Sequence, residues 1–226
     1  MSSKTMVRSS ALLALVSVVS VGFLPSRAPA KIHLTLATLH AANLTAPRAA
    51  TDSVDEPYYL ISIVGPHSQA ETIHLPTTGH LRIHRDEALG SRPLVDLSVA
   101  PGDTVRMLVS VLDGAKGRGS NEDAAASAST KAMSQSSNGR AAALSSALAP
   151  VIKQGAHWLG SATLMVTNDG GTVYWRALEC VATCSVLSGA SPSPFPAPTE
   201  KPLAGVVELS GSGATYHMQL QGQRAQ

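Results

Sequence analysis

Apolar and polar residues alternate with a period of two along most of this chain. In residues 31–39, Ile32, Leu34 and Leu36 share one face while His33 and Thr35 take the other. That pattern predicts a half-buried strand. The stretch VDEPYYLISIVGP, residues 54–66, behaves differently. Tyr59, Ile61 and Ile63 fall on one face and Tyr58, Leu60 and Val64 on the other. Apolar residues on both faces predict a strand covered on both sides. Pro57 suits the first residue of that strand, where no ladder N–H is needed.

Shorter strand patterns follow at 71–75, 81–84 and 94–99. In residues 105–111, Val105, Met107, Val109 and Val111 alternate with Arg106, Leu108 and Ser110. Strands resume at 159–167 and 172–177. Between them Asn168-Asp169-Gly170-Gly171 reads as a tight hairpin turn, since Asn and Gly accept positive φ. Residues 187–202 form a Ser/Pro-rich loop. A last pair, 205–209 and 215–221, is joined by Ser210-Gly211-Ser212-Gly213. In its second member Tyr216, Met218 and Leu220 face one way and His217, Gln219 and Gln221 the other.

One segment breaks the period. Residues 115–155 are mostly Ala, Ser, Gly and Lys. Asn121, with Glu122 and Asp123 after it, is placed to cap one helix. A second helix is expected from Arg140, after a break at Asn138-Gly139 and limited by Pro150. Its contact stripe would be Leu144, Leu148, Val151 and Ile152. Many short strands with turn punctuation and one helical insertion predict an all-β fold: an antiparallel β-sandwich over residues 31–226 with an Ala/Ser-rich helical insert at 115–155.

The N-terminus changes the picture of where this fold resides. Lys4 and Arg8 precede an uncharged run, 11–24, and then Ala28-Pro29-Ala30. A basic start, a short apolar run and an A-x-A site describe a secretory signal peptide, residues 1–30. The run is shorter than the roughly 20 apolar residues of a membrane span. The expectation is a secreted or periplasmic chain with no transmembrane span after cleavage. Cys180 and Cys184 are the two cysteines, and export plus close spacing predict a disulfide between them. Asn43-Leu44-Thr45 is an N-glycosylation acceptor in a host that glycosylates. The formal net charge of +2 comes with no basic run, so no nucleic-acid partner is expected.

The order of several short pieces resembles the C2 domain, a β-sandwich of membrane- and calcium-binding modules. Residues 36–43 (LATLHAAN) are followed by Val54-Asp55-Glu56-Pro57-Tyr58, in the place of that family's strand and S-D-P-Y loop. Residues 107–113 (MLVSVLD) stand where the family has a strand ending in W-D-x-D. Ala156-His157-Trp158-Leu159-Gly160 stands where the family has D-D-F-I-G. The resemblance implies calcium ligands at the loop end, but the pattern departs here. Glu56 takes the S-D-P-Y aspartate's place, Asp113 keeps the first aspartate of the later loop, and the second falls on Ala115. The calcium candidates are therefore Asp52, Asp55, Glu56 and Asp113; calcium takes about six to eight oxygen ligands, and nothing in the spacing of these residues requires such a site. No cofactor is expected, and the helical insert is expected to close over the loop end in place of metal.

No G-x-S-x-G, H-E-x-x-H, Walker A or G-x-G-x-x-G motif occurs. His80, Arg82 and His84 share one strand face, but residues four apart on a strand lie about 13 Å apart, too far for one metal. Trp158 and Trp175 are expected in the core. The sequence thus predicts a non-enzymatic binding module whose partner is a protein, a glycan or a lipid surface. The alternative is a secreted hydrolase or a toxin accessory subunit with the insert as lid or arm.

Overall fold

A computed structural model describes residues 28–45, 54–65, 71–77, 81–114, 137–189 and 192–225. Almost all of the expected signal peptide, the helix expected at Asn121, Asp52 and His80 lie outside the described residues. In chain order the elements are β1 (Ala30–Asn43), β2 (Val54–Asp55), β3 (Pro57–Val64), β4 (Glu71–Leu75), β5 (Ile83–His84), β6 (Ala88–Leu89), β7 (Arg92–Val99) and β8 (Thr104–Asp113). Then come α1 (Ser137–Lys153), β9 (His157–Asn168), β10 (Val173–Ala182), β11 (Cys184–Ser188), β12 (Ser193–Pro194), β13 (Leu203–Leu209) and β14 (Thr215–Arg224).

Two six-stranded antiparallel sheets carry the fold. The first runs β11-β13-β14-β1-β6, with β7 also paired to β1; the second runs β12-β10-β9-β8-β3-β4. Their facing sides share one apolar core. Ile32, Leu34, Leu36, Tyr216, Met218 and Leu220 come from the first sheet; Tyr59, Ile61, Met107, Val109, Leu164 and Trp175 come from the second. Each set follows the inward half of an alternating strand, as the sequence pattern requires.

The β1 strand is longer than the alternation suggested. Its pairing with β14 slips between Leu36 and Thr38. The extra residue shifts the period by one, so Leu36 and Leu39 both reach the core and Ala41 follows them. This carries the strand on to Asn43 and delivers Leu44 and Thr45 to the end of the sandwich.

The two outer faces differ. The outer face of the first sheet is polar: the His33 imidazole meets Asp96 across β1 and β7, and His40 stacks on His217 with ring centres 5.8 Å apart. The outer face of the second sheet carries an apolar patch that α1 covers. Leu144, Leu148 and Val151 pack there on Tyr58, Leu60, Leu108 and Leu112. This is why the VDEPYYLISIVGP strand is apolar on both faces.

The helix departs from expectation in three respects. It begins at Ser137 and runs through Asn138-Gly139, which is no break. It passes Pro150 and ends at Lys153, so the proline falls in the last turn. Ile152 is 38% exposed and is not part of the stripe. The end of the helix is well closed. Gly155, at φ +100°, donates to the Ile152 carbonyl at 3.0 Å, and Ala156 donates to that of Val151 at 3.3 Å. That is the paired closure of a Schellman motif, with Ala156 and Val151 both buried beneath it. The described part of the insert therefore covers a sheet and does not close over the loop end.

The remaining differences are local. Residues 81–84 contribute only the short β5, which pairs with β2. Strand β11 ends in the start of the Ser/Pro-rich loop, which holds β12, and the loop's Phe195 is buried at 6.1 Å from the Trp175 ring. The Asn168–Gly171 turn forms as expected, with Gly170 at φ +90°. The Asp169 carboxylate accepts from the amides of Thr172 and Gly171 at 2.7 and 2.9 Å, bonds that hold its pKa below the usual range. The Cys180 and Cys184 sulfurs are bonded, with Cα atoms 5.5 Å apart. They span the point where the chain leaves β10 in the second sheet and enters β11 in the first.

Candidate functional site

Two places gather polar groups the core does not need. The first lies at the end of the sandwich where β1 stops, β3 starts and β8 ends. Here the structure brings together Asp55 and Asp113, two of the carboxylates singled out in the sequence. Each is only 4% exposed. Asp55 accepts from the Thr45 amide at 2.9 Å, from the Thr45 hydroxyl at 2.8 Å and from the Tyr216 hydroxyl. Asp113 accepts from the Glu56 amide at 2.6 Å, and the same Thr45 hydroxyl lies 2.9 Å from its other oxygen. Every oxygen of the pair thus has a protein partner.

Burial holds the Asp113 carboxyl above the usual carboxylate range, and the charge of Asp55 beside it pushes the same way. The Glu56 amide, the Thr45 hydroxyl and His157 pull weakly in the other direction. Tyr216 is pushed far up by burial and by its bond to Asp55, so it is a donor at all ordinary pH. Glu56 contributes its backbone to this cluster; its side chain ends in a buried oxygen without a hydrogen-bond partner among the described residues. Among the described residues no group of three or more His, Cys, Asp or Glu is placed to hold a metal ion. The arrangement ties four chain segments together, and protein groups take up all four carboxylate oxygens.

The second place is a cavity of about 210 Å³ at the open side of the sandwich, between edge strand β4 and strand β7. Leu36, Leu75, Leu81 and Leu94 form its walls, and Tyr59 and Arg92 give it a polar corner. Tyr59 is fully buried, and its hydroxyl has no hydrogen-bond partner among the described residues. Burial pushes its pKa well up, against the nearby positive charge of Arg92. The hydroxyl is therefore a neutral donor.

Sequence reading found Asp55 and Asp113 but not the residues that join them. Thr45 was visible only as part of N-L-T, and Tyr216 only as one more inward residue of β14. Tyr59 did carry a signal: it is the one hydroxyl on the inward stripe Tyr59, Ile61, Ile63. His84 and Arg82 are exposed, and the His84 amide donates to Glu87 at 2.7 Å. Trp175 is in the core, as expected, with its indole N–H on the Gly189 carbonyl at 3.0 Å. Trp158 is partly buried under α1 and donates to Ser161 at 3.0 Å.

No protein-family model, no curated protein and no solved structure matches this chain. No helix among the described residues is long and apolar enough to cross a membrane.

Proposed function

We propose that this chain is an exported, non-enzymatic binding module built on a C2-like sandwich. The reading is carried by the cavity at the open edge, where a buried hydroxyl has no partner among the described residues. Buried polar groups are nearly always satisfied, so a lone donor at a cavity wall is a place for a ligand. The bonded cysteine pair suits an oxidising compartment. The helix α1 lies on the far face of the second sheet and lines none of this cavity. It therefore serves as a cover for that sheet and not as a lid.

Benzene tests the reading without knowledge of the natural ligand. An apolar cavity of about 150 Å³ takes benzene. The exported chain in benzene-saturated buffer is expected to melt at a higher temperature, because a ligand that binds only the folded state stabilises it. The variant Leu94→Trp, with the cavity filled, is expected to show no rise. A parent protein that melts unchanged in benzene counts against a ligand cavity.

A further inference from the structure

The polar corner of the cavity specifies what kind of molecule fits it, and the inference rests on the binding reading just given. Tyr59 offers one O–H donor from a fully buried ring. Arg92 lines the same cavity and brings a guanidinium, which is a donor only and stays charged. Among the described residues no carboxylate pairs with Arg92. Two donor side chains, one of them cationic, lie beside walls of leucine and proline, and Thr77 also lines the cavity.

Each feature narrows the ligand. The Tyr59 and Arg92 donors favour an acceptor head, and a guanidinium with no carboxylate partner among the described residues favours negative charge on it. A guanidinium binds a carboxylate through two parallel bonds, so the planar head suits Arg92. A phosphate dianion fits poorly, because Arg92 is the one cation among the described residues that line the wall. The leucine walls call for an apolar body. At about 210 Å³ the cavity has room for a ring and a carboxylate, but not for a long acyl chain.

We infer that the cavity binds a small monocarboxylate with an aromatic or short branched alkyl body. The carboxylate accepts from the Tyr59 hydroxyl and pairs with Arg92, and the body lies against Leu36, Leu75, Leu81 and Leu94.

Titration calorimetry of the exported chain with benzoate, beside benzene as the uncharged body alone, tests this. Benzoate is expected to bind saturably and to weaken as salt is raised. Tyr59→Phe and Arg92→Gln are each expected to weaken benzoate tenfold or more while leaving benzene binding unchanged. Arg92 is exposed, so Arg92→Gln keeps the fold and keeps the test valid even where a core variant fails. Benzoate affinity that Arg92→Gln does not change overturns the inference. Benzene binding without benzoate binding also overturns it and leaves the broader binding reading standing. Binding of neither probe removes both.

Discussion

Asp55 and Asp113 are joined through one hydroxyl: Thr45 Oγ1 stands 2.8 Å from Asp55 Oδ1 and 2.9 Å from Asp113 Oδ2. A hydroxyl has a single proton, so it donates to one carboxylate at a time. Both contacts are hydrogen bonds when Asp113 carries a proton and gives it toward Thr45, which in turn donates to Asp55. The raised pKa of Asp113 agrees with this arrangement.

The sign of the pH dependence follows. A carboxyl whose folded-state pKa is raised contributes stability below its unfolded value, about 3.9, and loses it as pH rises through the folded value. The Asp113 contribution is therefore present in acid and lost toward neutral pH. Asp113→Asn copies the protonated form: its oxygen accepts from the Glu56 amide and its amide group donates to Thr45. At neutral pH this variant is expected to melt above the parent, and the difference should shrink as pH falls toward 4. Thermal melts of both proteins across that range measure it. A variant that melts lower at neutral pH would contradict the shared proton.

Calcium gives a second outcome for the same cluster. All four oxygens of Asp55 and Asp113 are occupied by protein donors or the shared hydroxyl. A cation would have to displace the Thr45 and Tyr216 contacts to reach them. Millimolar calcium is expected to leave the melting temperature unchanged, whereas binding to the folded state alone would raise it by linkage. A concentration-dependent rise would restore the metal site implied by the C2 resemblance.

The inward faces of the strands were legible because alternation marks them directly. Ile32, Leu34, Tyr59, Ile61, Met218 and Leu220 are all where a period of two puts them. The β1 bulge was not legible, because a one-residue slip depends on the partner strand and leaves no local sign. The helix start was misplaced for a similar reason. Asn-Gly is a turn signal on average, but packing of Leu144, Leu148 and Val151 on the sheet overrides that local preference. The carboxylate pair could be named from sequence, yet its partner Tyr216 lies 161 residues from Asp55, a distance only the fold closes.

The helix supplies a contrast between neighbouring residues. Leu148 is fully buried and Ile152 is 38% exposed. Leu148→Ala is expected to cost about 2–5 kcal/mol, as for other buried leucines. Ile152→Ala, at the exposed position, is expected to stay within about 0.5 kcal/mol. Urea melts of the two variants compare them. Equal losses would mean that α1 does not pack on this face.

Gly222 tests the packing between the sheets. A Cβ built there would lie 2.5 Å from the Phe195 ring and 3.0 Å from Leu34. Neither neighbour has room to withdraw, since Phe195 and Leu34 are both buried and the Trp175 ring lies just beyond. Gly222→Val is expected to destabilise by about 1–3 kcal/mol, the usual cost of an overfilled core. Denaturant melts would show it, and an unchanged midpoint would mean that Phe195 does not occupy this space.

Tyr59 separates stability from binding most directly. Its ring fills the core beside Ile61 and Leu36, and its hydroxyl adds a buried donor without a partner among the described residues. Leaving such a group unsatisfied costs about 1–3 kcal/mol relative to a bonded or absent one. Tyr59→Phe keeps the ring and removes the donor. Without ligand the variant is expected to be at least as stable as the parent, by up to about 1 kcal/mol. With a carboxylate bound, the order should reverse, because only the parent can donate to it. Residues kept for structure lose stability when truncated; a residue kept for a ligand loses affinity instead. Melting the two proteins with and without benzoate reads both quantities at once. A Tyr59→Phe protein that is less stable than the parent in plain buffer would show that the hydroxyl serves the fold and not a ligand.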